Sequence, residues 1–154
     1  MSKAVSIAQK QSTKQLPAKL AIRKAIEALE EGLAPDMEGK PFEEYVPHVE
    51  HFTDGLYARE LFMPAGTVIT SKIHNSNHMT FVMFGLAKVV DEFNGTQYIK
   101  GPCFFKTPRG MKRALYIMED SLWVTVHAPA ATDSKSAEED LISPTHIDLL
   151  ESQE

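Results

Sequence analysis

Two histidines, His74 and His78, bracket a polar turn (Asn75-Ser76-Asn77) between two apolar runs, and a third, His127, closes a later apolar run. Imidazole is the commonest metal ligand near neutral pH, because one ring nitrogen offers a lone pair while a partner holds the other. Two or three imidazoles on strands lining a pocket suit Fe, Mn, Zn, Ni or Cu, and ligand type alone does not choose among them. Histidines beside a turn are also often plain surface residues, and spacing does not separate the two readings. Lys72 and Arg113 are candidates for holding an anionic ligand. Arg113 offers a planar fork that matches a carboxylate, or else pairs with Glu119 or Asp120; it stays protonated and is no general base. Trp123 is a candidate stacking platform, although a tryptophan in an apolar run more often belongs to a core. Tyr116 and Glu119 are candidates for moving protons if they reach the pocket. No carboxylate base is evident at an inward position, and acid–base chemistry needs one within hydrogen-bond reach.

The elements that must position these residues are read from periodicity and turn signals. Side chains two apart on a strand share a face. Leu56–Met63, Thr67–His74, Met79–Phe84, Leu86–Phe93, Thr96–Lys100, Cys103–Lys106, Lys112–Ile117 and Ser121–His127 read as strands. Between them stand Pro64-Ala65-Gly66, Asn94-Gly95, Gly101-Pro102, Thr107-Pro108-Arg109-Gly110 and Met118-Glu119-Asp120. Short strands at this spacing predict an antiparallel sandwich or barrel. The runs flanking His74 and His78 are expected to pair as a hairpin. In a last hairpin looped at 118–120, Ile117 opposes Ser121, which puts Arg113, Trp123 and His127 on one side, provided the register does not slip. Asn94-Gly95-Thr96 matches a glycosylation sequon, but Asn-Gly between two strands reads first as a hairpin turn.

Before the strands, residues 1–16 are polar and predict a flexible arm. A helix is expected over 17–33, with Pro17 at its first position, a stripe of Ile22, Ile26, Leu29 and Leu33, and a stop at Gly32. The alanine-rich stripe packs on the domain or on a second subunit. Residues 34–55 read as an irregular surface run in which His48 and His51 are surface residues. Residues 129–154 form an acidic tail, in which Ile147, Leu149 and Leu150 suit one docking helical turn.

A chain of 154 residues with 43% hydrophobic residues is long enough to bury one core. A formal net charge of −5 argues against a nucleic-acid binder. The charge is segregated: residues 1–16 carry three lysines and no acid, and 128–154 seven acids and one lysine. The single cysteine, Cys103, lies in an apolar run and reads as a buried structural thiol. Neither a signal peptide nor a membrane span is apparent, so a cytoplasmic setting is expected.

At this point the residues resemble the two motifs of a cupin, G-x5-H-x-H-x3,4-E-x6-G and G-x5-P-x-G-x2-H-x3-N. Aligned on Gly85, His74 takes the second histidine position, Lys72 the first and His78 that of the glutamate. Gly101 and Pro108-x-Gly110 match the second motif, with Arg113 at its histidine and Ile117 at its asparagine. One of the four usual ligand positions therefore keeps its usual residue. Residues 48–128 look most like small single-cupin proteins encoded by bacteriophages, through Gly55-Leu56-Tyr57-Ala58-Arg59-Glu60, Lys72-Ile73-His74, Lys112-Arg113 and Trp123-Val124-Thr125-Val126-His127.

The resemblance implies an all-β fold, a single jelly-roll-like cupin barrel over 34–128 with an N-terminal helix and polar tails. It also implies a metal site of His74, His78 and His127 for Fe, Mn, Zn or Ni. Two functions stand close together. One is a metal-dependent isomerase, lyase or oxygenase acting on a small anion held by Lys72, Arg113 and Trp123. The other is a non-catalytic assembly component, a homo-oligomer in the host cytoplasm or the virion that docks other virion proteins through residues 1–33. A ligand-binding sensor is a third.

Overall fold

The computed structural model describes residues 2–33, 46–128 and 142–143, with side chains over 16–33 and 46–128. Helix α1 (Ser2–Leu33) leads into strands β1 (His48–Thr53), β2 (Leu56–Met63), β3 (Val68–Thr70), β4 (Ile73–His74), β5 (His78–Asp91), β6 (Gly95–Lys100), β7 (Cys103–Thr107), β8 (Arg113–His127) and β9 (Ile142–Ser143). The rest of the acidic tail and the segment 34–45 lie outside the described residues.

Two long strands organise the barrel. The N-terminal half of β5 pairs with β7 on one side and with the C-terminal half of β8 on the other, which in turn pairs with β2 and so with β1. The C-terminal half of β5 pairs with β6 and with the first half of β8, which also carries β3. Both strands belong to two half-sheets, and the register slips between Val82 and Ala87, where they fold over. Between the half-sheets lies an apolar core of Met63, Val82, Val89, Leu115, Ile117 and Trp123 with their neighbours.

The fold-over rests on Gly85. Its φ is 102°, and a Cβ there would stand 2.0 Å from the Ser121 hydroxyl and 2.6 Å from the Asp120 carbonyl oxygen. Only glycine combines that backbone with that closeness. The Gly101 amide donates to the Gly85 carbonyl at 2.9 Å, and Gly66 and Thr67 bond to the backbone of Ile117. This end of the barrel is therefore closed by turns. The bend returns the free ends of β5 and β8 to the opposite end, where His78, Asp91, Arg113 and His127 gather.

Helix α1 packs on that second end. Arg23, 1% exposed, pairs with the Glu92 carboxylate and donates to the Gly110 carbonyl. Glu30 holds Lys112 (2.9 Å) and accepts from the Thr70 hydroxyl (2.8 Å). The helix starts at Ser2, so residues 2–16 of the expected flexible arm are helical and Pro17 lies inside. Residues 3–16 lack glycine and are rich in Gln, Lys and Ala, good helix formers that extend it beyond the proline, whose interior cost is about 3 kcal/mol. The expected stripe is rotated: Ile26 is buried beside Arg23, whereas Leu29 is exposed.

Four strand expectations change. Residues 48–53, read as irregular, form β1 against β2. The run 67–74 breaks at Ser71-Lys72, and β4 pairs with β9 rather than with β5, so no histidine hairpin forms. Gly85 does not end a strand, and β8 passes through Met118-Glu119-Asp120 without a turn. Those three residues are exposed at the bend, and the two acids, Glu119 and Asp120, imitate a loop. Asp120 accepts the Ala65 amide at 2.8 Å, and Ser121 donates to the Glu119 carbonyl at 2.7 Å. The assumed pairing of Ile117 with Ser121 is thus wrong. Arg113, Trp123 and His127 still share a face, because even separations survive in one continuous strand. Cys103 is half-buried rather than buried.

Candidate metal centre

The three imidazoles come from three places. His74 ends β4, His78 opens β5 and His127 ends β8. The loop between the first two is fixed on the turn after β7: Gly110 donates its amide to the His74 carbonyl (2.9 Å), and Arg109 donates its amide to the Asn77 side chain (2.9 Å). His78 lies beside Thr107 in the ladder. The ring centroids stand 4.5 Å (His74–His78), 4.9 Å (His74–His127) and 4.3 Å (His78–His127) apart.

One ring nitrogen from each histidine lies within 4.8 Å of the other two. An imidazole–metal bond is about 2.0–2.1 Å, so the rings would have to turn toward one another to share one ion. The Nδ1 atoms of His78 and His127 are buried without a hydrogen-bond partner. A buried polar atom left so costs about 1–3 kcal/mol, and a cation bound through these two atoms would remove that cost. The donor set fits a divalent transition metal.

Electrostatics keep the rings neutral and their lone pairs available. Burial, then His127, Arg113, Lys72 and Arg59, push His74 down to about 3. Burial, then His74, His127 and Arg113, push His78 down to about 2, with the backbone of Ser76 working the other way. Burial, with Arg59 behind it, holds His127 at about 4. Among the described residues no carboxylate joins the triad, and the charges of Arg59, Lys72 and Arg113 act on it.

Arg113 is buried, donates to the Thr107 hydroxyl (2.7 Å) and the Met111 sulfur (3.1 Å), and lies 5.3 Å from the Phe105 ring centroid. Burial draws it down to about 10, with Asp91 and Glu92 pulling upward, so it is charged at neutral pH. It does not pair with Glu119 or Asp120. Lys72 lies in the break between β3 and β4, close enough for its charge to act on His74. Trp123 is in the apolar core, edge-on to Phe105 at 6.2 Å, with its indole N–H buried and unpartnered. Tyr116 and Glu119 are exposed, away from the triad's buried rings. His48 and His51 stand apart on β1, the latter 3.2 Å from Glu60.

Two residues escaped the sequence reading. Tyr57, buried on β2, lays its ring 5.8 Å from that of His127 and donates its hydroxyl to Glu50 at 2.8 Å. Its alternation with Arg59 on β2 was the available signal. Arg23 ties the helix to Gly110, whose amide holds His74; its one sequence signal is a basic residue beside the Ile22/Ile26 stripe.

No protein-family model matches the chain, and no curated protein is similar to it in sequence. Solved structures are. The DMSP lyase DddQ from Ruegeria pomeroyi DSS-3 superposes with a TM-score of 0.52 at 16% identity, over 62% of this chain and 53% of that one. The chain thus spans about half of DddQ. KdgF from Halomonas sp. gives 0.47 at 17% identity, over 56% of this chain and 82% of that one. An RmlC-like cupin with a double-stranded β-helix fold from Methanocaldococcus jannaschii gives 0.47 at 15%, over 58% and 85%. At these identities the likeness is one of fold. The chain is a mostly antiparallel β fold with one N-terminal helix, and cupins are among the solved structures similar to it in fold.

Proposed function

We propose that this is a metal-binding cupin protein whose His74, His78 and His127 hold a divalent transition metal (Fe, Mn, Zn or Ni) beside a small anionic ligand. The observation that carries the reading is the cluster of three imidazoles, His78 and His127 buried and His74 half-buried, all held neutral, with two ring nitrogens lacking partners. A bound ion would supply Lewis acidity or a site for dioxygen, the chemistry of isomerases, lyases and oxygenases. Lys72 and Arg113 neutralise the ligand, Trp123 backs Phe105 behind Arg113, and the core excludes water. The Tyr57–Glu50 pair is the titratable pair packed on His127. The likeness to a DMSP lyase supports the fold and leaves the reaction to be found. Metal content of the purified protein, measured by mass spectrometry beside a His74→Ala/His78→Ala variant, tests the reading. Near-stoichiometric metal lost in the variant is expected. Metal absent from both, with no uptake of Fe, Mn, Zn or Ni, overturns it.

One observation favours the second reading, a non-catalytic assembly component, including a virion protein of a phage. The outer face around β5 and β7 exposes Phe104 (68%), Met83 (52%) and Phe84 (46%), with Phe62 nearby across Leu122. Contiguous apolar surface of this kind marks association sites. Light scattering of the wild type and a Phe104→Lys/Met83→Lys variant tests it. An oligomer that dissociates in the variant supports assembly through this face, and a wild-type monomer at all concentrations removes it. Among the described residues no helix is long and apolar enough to cross a membrane.

A further inference from the structure

Strands β6 and β7 are consecutive in the chain yet do not pair with each other. β6 follows the C-terminal half of β5, and β7 the N-terminal half. The barrel wall is therefore open between them, and a cleft of about 670 Å³ occupies the gap. Ile99, Phe105 and Met111 give it an apolar lining, Lys100 and Lys106 stand exposed on its rim, and Arg113 belongs to its wall. Among the described residues no carboxylate lines it.

Arg113 is the unusual group. It is 8% exposed, and its hydrogen bonds among the described residues go to two neutral acceptors, Thr107 and Met111. The neighbouring acids are engaged elsewhere. Asp91 accepts the amides of Phe93 (2.8 Å) and Asn94 (2.7 Å) and the side chain of Asn94, and Glu92 holds Arg23 and the Lys112 amide (3.0 Å). A guanidinium has five N–H donors, and a buried one without a hydrogen-bonded carboxylate favours a bidentate anion. Clefts of this size with an apolar wall and a placed buried charge suit small organic ligands, and Lys100 and Lys106 add positive charge at the rim.

We propose that the cleft between β6 and β7 is a binding site for an organic monocarboxylate with an apolar body, its carboxylate on Arg113 and its body on Ile99, Phe105 and Met111. The site rests on the anion-holding role given to Arg113 above and requires no metal. It enters through the wall, and it brings the carboxylate within electrostatic reach of His74 and His78.

The test is an NMR titration of the metal-free full-length protein with 4-phenylbutyrate, beside 4-phenylbutan-1-ol and acetate. The acid is expected to bind at least tenfold more tightly than either, with amide shifts concentrated over residues 93–113. A Lys100→Gln/Lys106→Gln variant, altered only at exposed side chains, is expected to weaken it about threefold. Arg113→Lys, checked for folding by its spectrum, is expected to weaken it at least tenfold. The His74→Ala/His78→Ala variant retains binding, so failure of the metal reading leaves this result standing. Equal binding of acid and alcohol, shifts outside the cleft, or binding only to metal-loaded protein and lost in the histidine variant, each overturns the proposal.

Discussion

The guanidinium of Arg23, on the helix, is sealed against the carboxylate of Glu92, in the turn that follows β5, with both side chains almost wholly out of solvent. Burial raises the Glu92 carboxyl despite the opposing pull of Arg23, the sign of a pair whose desolvation is only partly offset. Removing one partner strands the other. Arg23→Met should cost about 3–5 kcal/mol of stability in denaturant unfolding, and Arg23→Met/Glu92→Gln should cost less than the single change. Glu30→Ala, which loosens Lys112 at the half-exposed edge of the same contact, should cost under about 1 kcal/mol. Equal losses at both positions would show that the helix is held by area rather than by this pair.

A methyl group at Gly85 has nowhere to go. Gly85→Ala meets Ser121 and Asp120 together with a positive φ, so losses near the upper end of the roughly 1–3 kcal/mol for overpacking are expected, plus backbone strain. Gly55, also at positive φ but with no atom within 4 Å of a Cβ, supplies the control. Gly55→Ala should cost clearly less in the same thermal melts.

The histidine cluster sets the acid response of the metal-free protein. All three rings have folded values of about 2 to 4 against about 6.5 when unfolded. The unfolded chain therefore binds more protons below pH 6.5, and stability rises with pH there. It is fully present above about pH 6.5 and is lost on acidification toward pH 4, at a slope of up to about 4 kcal/mol per pH unit for three protons. Glu92, raised by burial, contributes with the opposite sign above the usual carboxyl range. Stability measured from pH 4 to 8 checks this, and the slope should flatten in the His74→Ala/His78→Ala variant. A slope unchanged in that variant would remove the cluster as its source.

His127 reaches the triad from far along the chain, and its loss should be felt as strongly as that of its neighbours. His127→Ala should lower metal affinity by more than the roughly 10–100-fold that loss of an outer-sphere partner costs. His48→Ala and His51→Ala, on β1 and apart from the triad, should leave it unchanged. Competition with a chromogenic chelator reads all three.

Strand β2 was legible to the residue, because a largely apolar run is bounded by clear turn signals at both ends, Asp54-Gly55 and Pro64-Ala65-Gly66. The triad was legible because residue type and strand placement survive errors in pairing. His127 faces the site whether β8 is one strand or two. The continuity of β5 and β8 was hidden, since a glycine (Gly85) and an exposed acidic pair (Glu119-Asp120) mark turns in most chains and a fold-over in this one. Tyr57 and Arg23 were hidden for another reason. Each acquires its meaning from a partner supplied by tertiary packing, Arg23 from a carboxylate 69 residues away, and no local pattern encodes that.

Because β5 and β8 run unbroken through both half-sheets, neither half-sheet can open while the other stays intact. The barrel should lose its structure as one cooperative unit, with no stable half-folded species. The amides of Met79–Asp91 and Arg113–Val126 should be the last to exchange with deuterium, those of β1 and the first turns of the helix among the first. Formation should be slow for the chain's size, in the millisecond-to-second range, since Tyr57 must find His127 before the wall between them exists.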